Sequence, residues 1–129
     1  MTEIRYPPEP EPGQGREDWE RKLLNPWRQE EKRRLLSERG RLCERCGERV
    51  AIDLDETILP RCDMGGLSLA QRRLAFASVN LTLSCVTCNR HHAHDRAGAW
   101  KRACKLYGED VVREWYRSLG LKAPRHDFT

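Results

Sequence analysis

Two cysteine pairs, Cys43-Glu44-Arg45-Cys46 and Cys85-Val86-Thr87-Cys88, constrain this chain more than any other feature, and 38 residues separate them. Two pairs of this spacing can place four thiolates at the corners of a tetrahedron, the way a structural Zn²⁺ is held. Gly47, just after the first pair, lets the backbone curl so that both sulfurs face one ion. The second pair runs into Asn89-Arg90-His91-His92-Ala93-His94, which reads as the opening turn of a helix. Everything between the pairs then becomes a loop closed by the metal. Cys62 and Cys104 stand outside this spacing and read as spectators.

A metal staple suits the rest of the composition. Apolar residues make up 38% of 129 residues and aromatic residues 7%, so the core must be small. In such domains metal-binding free energy becomes folding free energy. One domain, residues 16–129 with its metal core at 41–94, is the simplest organisation. No apolar run is long enough to span a membrane. The start of the chain has prolines and acids where a secretory signal needs a basic start and a greasy stretch. A cytoplasmic location is expected, where thiols stay reduced and paired cysteines favour metal over disulfide.

The formal charge of +4 hides segregation. Residues 1–20 carry −4, 21–42 carry +5, 43–66 carry −3 and 67–129 carry +6. Local basic surfaces suggest a phosphate backbone as partner. The candidate contacts are Arg33, Arg34, Arg72, Arg73, Arg90 and Arg96. The alternative from charge alone is a set of solvated helix faces.

Residues 1–15, rich in proline and acid, read as a disordered or extended tail. The pattern becomes helical from Arg16. Asn25 as N-cap and Pro26 at the first helical position predict a helix from there to about Arg39, closed by Gly40. Trp27, Leu35 and Leu36 share its apolar stripe. Residues 50–60 alternate like a strand, and Asp63-Met64-Gly65-Gly66 is a turn. Ser68 with Gln71 is a capping-box signature opening a helix over about Leu69–Ala77. Asn80–Ser84 reads as a second strand leading into the second cysteine pair. Helices over Arg96–Tyr107 and Glu109–Leu119 end at Gly108 and Gly120. Their apolar faces, Trp100, Ala103, Cys104 and Tyr107, then Val111, Val112, Trp115 and Leu119, read as core. The fold class expected is α+β, a small metal-stapled module flanked by helices.

Taken together, Cys43-Glu44-Arg45-Cys46-Gly47, Ile58-Leu59-Pro60-Arg61, Gly65-Gly66, Asn80-Leu81 and Cys85-Val86-Thr87-Cys88-Asn89 form an ordered set that resembles the HNH endonuclease family. The resemblance covers residues 41–94. It implies a zinc-binding treble clef carrying a ββα-metal motif, a DNA substrate, and a phage or prokaryotic source. In the family an Asp-His pair lies four and three residues before the proline, and those positions here hold Glu56 and Thr57. The implied site is Glu56, Asn80 and Asn89, with Mg²⁺ or Mn²⁺ held by Glu56 and Asn89. Threonine cannot replace the histidine that takes a proton from the attacking water, and such assistance is worth about 10²–10⁴-fold. Two substitutes exist. A one-residue bulge would move Asp55 and Glu56 into the pair's places, or His91, His92 or His94 would reach in from the helix. Position 93, one turn beyond Asn89, holds another metal ligand in some family members and is Ala93 here. Three functions follow: a metal-dependent DNA nuclease with a variant site, an inactive relative that binds nucleic acid, or a zinc-stapled module that contacts protein only.

Overall fold

The computed structural model describes residues 2–90 and 95–121. It is a small α+β structure: helices surround one two-stranded antiparallel sheet. Among the described residues no helix is long and apolar enough to cross a membrane.

The first helix starts earlier than Asn25. Helix α1 (Arg16–Trp19) passes through one π turn, Glu20–Leu24, straight into α2 (Asn25–Arg39). Asn25 has φ −61° and ψ −46°, so it is inside a helix and caps nothing. Pro26 accounts for the wider turn before it. Its ring crowds the carbonyl one turn back and it has no N–H to give that carbonyl, so the helix locally loosens and continues. Gly40 closes α2 as expected, at φ +96°.

The expected strand over 50–60 is shorter. Strand β1 (Asp53–Glu56) pairs with β2 (Leu81–Ser84), with Asp53 opposite Ser84 and Glu56 opposite Leu81. One more ladder bond follows, from the Thr57 N–H to the Asn80 carbonyl at 3.1 Å, and the pairing then stops because the next two amides have another acceptor. Asn80, fully buried, accepts from the backbone N–H groups of Ile58 and Leu59 at 2.8 and 2.9 Å. Its amide donates to the carbonyls of Leu59 and Ala75. Both outer edges of this sheet are covered by side chains. Arg28 and Lys32, one turn apart on α2, donate to the carbonyls of Leu54 in β1 and of Ile52 just before it. Arg39 donates to the Leu81 carbonyl on β2 at 2.7 Å. These guanidinium and ammonium groups occupy carbonyls that an added strand would need.

Helix α3 (Leu69–Ala75) has the expected capping box between Ser68 and Gln71. Helix α4 (Val86–Arg90) begins three residues before Asn89, because Cys85 supplies the N-terminal acceptors: its carbonyl takes the Asn89 N–H and its sulfur the Cys88 N–H. Helices α5 (Arg96–Tyr107) and α6 (Glu109–Ser118) meet at Gly108, whose φ of +98° is what allows two helices to join across one residue.

Apolar side chains gather in two clusters. The larger joins Trp19, Leu24, Met64, Phe76, Trp100, Tyr107, Val112, Trp115 and Leu119 from the helical side. Val111, expected in the core, is 40% exposed. The smaller joins Leu35, Ala51, Leu54, Leu81 and Leu83 at the cysteine end, and Trp27 packs against both. The N-terminal segment is extended and docked. Arg5 exchanges backbone and hydroxyl hydrogen bonds with Ser78, Trp19 donates to the Pro8 carbonyl, and Pro7 is buried.

Candidate metal centre

The first cysteine pair sits in a short hairpin closed by a bridge between Leu42 and Val50. The Cys43 N–H donates to the Arg49 carbonyl at 2.7 Å, and the Gly47 N–H returns to the Cys43 carbonyl at 2.9 Å. Gly47 has φ +69°, the left-handed turn that its position required. The second pair straddles the end of β2 and the start of α4. Glu44 joins the two: its N–H donates to the Leu83 carbonyl, and its carboxylate accepts from the Leu83 N–H at 2.7 Å.

This brings Cys43, Cys46, Cys85 and Cys88 together, with their four sulfurs all within 4.8 Å of one another. Four sulfurs at about 2.3 Å from one tetrahedral ion lie about 3.8 Å apart. The Cys46 and Cys85 sulfurs are 3.9 Å apart, so the group fits a metal such as zinc. Cys43 and Cys85 are buried, and Cys46 and Cys88 half-buried.

The thiols are unequal. Backbone N–H groups of Glu48 and Arg49 pull Cys46 down to about 6. Burial pushes Cys43 up, but N–H groups of Cys46, Cys85 and Arg45 outweigh it and leave the thiol below its ordinary range. Burial, then hydrogen bonding to Cys85, pushes Cys88 up to about 12. Without a cation the last thiol of a crowded set cannot easily ionise; a divalent ion removes that cost. The Cys85 sulfur and the charge on Cys46 hold the Arg49 guanidinium more firmly protonated, which places a cation beside the centre.

Arg39 ties this centre to the helices. Its guanidinium reaches the Glu44 carboxylate at 3.1 Å, the carbonyls of Leu81 and Ser78, and the Tyr107 hydroxyl at 2.8 Å. Arg45, inside the first pair, reaches Asp55 on β1 at 3.3 Å. Sequence reasoning missed both arginines. Their partners are between five and 68 residues away, and no local pattern signals such pairs.

The second expected site is built differently from a metal site. Glu56 is 6% exposed, and its carboxylate meets Arg28 at 2.9 Å and Arg61 at 3.4 Å. Thr57 is buried with its hydroxyl 2.7 Å from that of Thr82. Asn80 spends its whole side chain on the four backbone groups described above, and Asn89 is exposed on α4. The β1–β2 register is regular through Glu56, so the bulge that would shift Asp55 and Glu56 is absent. His91, His92 and His94 lie outside the described residues. Among the described residues the four cysteines alone form a group of three or more His, Cys, Asp or Glu side chains able to hold a metal.

The six candidate arginines do not form one surface. Arg72 is 2% exposed, and its guanidinium is held by the Met64 carbonyl and Glu20, each at 2.9 Å. Burial raises the Glu20 carboxyl, but hydrogen bonds from Arg72 and Arg16 outweigh it and hold it below its ordinary range. Arg34 pairs with Glu31 and Glu38. Arg73 donates to the Pro7 carbonyl at 2.7 Å and lies over the Tyr6 ring. Arg96 donates to the Ile58 carbonyl at 2.9 Å. Only Arg33 and Arg90 of the six are exposed. An arginine-rich helix looks the same in sequence whether its guanidinia face water or bind carbonyls.

No protein-family model, no curated protein and no solved structure matches this chain. What it does has to be read from its own residues.

Proposed function

We propose that this chain is a zinc-stapled, HNH-like protein of the treble-clef type that binds nucleic acid and has lost, or nearly lost, phosphodiester hydrolysis. In this reading Cys43, Cys46, Cys85 and Cys88 hold one Zn²⁺ with no open position, so the ion is structural. The observation that carries the loss of hydrolysis is Glu56 lying between Arg28 and Arg61. A carboxylate neutralised by two guanidinia must give them up before it can hold Mg²⁺ or Mn²⁺. Threonine at 57, spent on Thr82, supplies no base. The nucleic-acid half of the reading is supported by the ordered motifs of residues 41–94 and by exposed arginines beside the cysteine centre.

A plasmid-nicking assay with Mg²⁺ and with Mn²⁺, run beside a salt series of duplex-binding titrations, tests this. The expected result is binding that falls steeply with salt and no metal-dependent nicking. Metal-dependent nicking by the wild type that disappears in Glu56→Ala would refute it.

One observation favours the protein-interaction alternative. Leu42, Val50, Ile52 and Val86 are 45–62% exposed around the cysteine centre, and exposed apolar groups of this kind are common at protein contacts. If duplex DNA fails to bind at low salt, that alternative takes over.

A further inference from the structure

Helix α2 carries five cationic side chains between Arg28 and Arg39, besides those of the preceding turns, and most are spoken for. Arg28 is held by Glu56 and the Leu54 carbonyl, Lys32 by the Ile52 carbonyl, Arg34 by Glu31 and Glu38, and Arg39 by Glu44. Arg33 is exposed and has no ion-pair partner among the described residues. Arg41, just past the end of the same helix, is likewise exposed and unpaired. The two line one open concavity of about 510 Å³, with Leu36 and Ser37 between them. Glu38, the nearest acid of the last turn, is occupied by Arg34 at 2.6 Å.

We infer that this concavity is a seat for the phosphodiester backbone of a nucleic acid, with Arg33 and Arg41 as its two cations and the Ser37 hydroxyl as a neutral donor. The inference rests on the nucleic-acid reading above and gives that reading a place on the surface. Three features support phosphate as the ligand. Arginine's planar fork matches phosphate oxygens bidentately. Neither guanidinium is in an ion pair with a described carboxylate, so both are available to an anion. The seat is open to solvent, which suits a continuous backbone passing over it better than an enclosed small anion. Leu36 lines the concavity and also packs on the smaller core, which ties the seat to the packed interior.

The test uses the full chain, an end-labelled duplex of mixed sequence and a salt series read by fluorescence anisotropy. Arg33→Ala/Arg41→Ala should weaken binding about tenfold at low salt and lower the slope of log K against log salt by about 2, one for each lost phosphate contact. Arg33→Lys/Arg41→Lys should keep the slope while losing part of the affinity. Lys101→Ala/Lys105→Ala, which removes two exposed cations from α5, should change neither. Metal content of every variant checks that the fold is kept. An unchanged slope in Arg33→Ala/Arg41→Ala, or a lost slope in the α5 variant, would overturn this seat and leave nucleic-acid binding standing. No binding by the wild type would overturn both. Equal displacement of the duplex by inorganic phosphate and by sodium chloride of matched ionic strength is expected. Displacement specific to phosphate would point to a free-anion site and overturn the inference.

Discussion

Removing the proposed zinc ion should unfold one end of the protein and spare the other. The ion links Cys46 to Cys85 across 38 residues, and closing a loop of that length removes about 4 kcal/mol of unfolded-chain entropy, by the relation used for disulfides. Total stability of small domains is about 5–15 kcal/mol, so this is a large share. The loss falls unevenly. Beneath the cysteine centre lies the smaller cluster of Leu35, Ala51, Leu54, Leu81 and Leu83, while the three buried tryptophans and Tyr107 belong to the larger one. Hydrogen exchange should separate the two. After chelation, or in Cys46→Ser, the N–H groups of Ile52, which donates to the Ser84 carbonyl, and Leu83, which donates to the Glu44 carboxylate, should exchange about a thousandfold faster, the equivalent of about 4 kcal/mol. Amides in the middle of α5 and α6 should change by less than about tenfold. Two side chains could defeat this reasoning: Trp27 packs on both clusters, and Arg39 links Glu44 to Tyr107. Simultaneous loss of protection at Leu83 and in α5 would show that they weld the protein into one cooperative unit. Unchanged protection at Leu83 would show that the metal contributes nothing to folding.

Asn80→Ala should be among the most damaging single substitutions. It strips partners from the N–H groups of Ile58 and Leu59 and the carbonyls of Leu59 and Ala75, at a fully buried site. At about 1–3 kcal/mol for each unsatisfied group, calorimetry should show a loss of at least about 4 kcal/mol, and a loss below about 1 would refute the clamp. Arg28→Met alone leaves Glu56 buried with only Arg61, and should cost about 2–3 kcal/mol; adding Glu56→Leu should recover most of it, because the stranded charge is gone. Denaturant melts of both variants decide this. Zinc uptake should release protons at pH 7. Cys46, held at about 6, is already ionised there, but Cys88, held at about 12, must lose its proton to bind. Affinity therefore rises with pH, and calorimetry in two buffers of different ionisation enthalpy should give at least one proton per ion. In the metal-free protein the depressed Cys46 favours folding above pH about 9, an advantage lost as pH falls through about 6.

The parts legible in the sequence were those fixed by near neighbours. The capping box at Ser68 and Gln71 and the ends of α5 depend on residues within a turn, and each cysteine pair is itself a local spacing, repeated once. The strand ending at Glu56 was not legible, because what stops it is a side chain 24 residues downstream. The start of the first helix departs from its local signature for a related reason. Asn25-Pro26 carries the local signature of a helix start, but Trp19 and Leu24 are both buried in the larger core, so the helix is held through the proline by packing. A local preference worth about 1 kcal/mol yields to burial of two large side chains, each worth about 1.5–3 kcal/mol.

The arginines carry the same lesson into function. Arg28, Arg34, Arg39, Arg45 and Arg72 serve the fold: each meets an acid, and three of them also meet backbone carbonyls. A chain with so small an apolar core uses guanidinia to cover strand edges and close helix contacts that hydrophobic side chains would close in a larger domain. The same economy explains Glu56. Once a carboxylate at that place is recruited to hold Arg28 against β1, it belongs to the scaffold, and a catalytic cation would have to dismantle the contact between α2 and the sheet in order to bind. In the proposed reading, loss of hydrolysis and the firm seating of α2 are two results of one ion pair. Substitutions that revive metal binding at Glu56 should therefore loosen α2, and with it the concavity that holds Arg33 and Arg41.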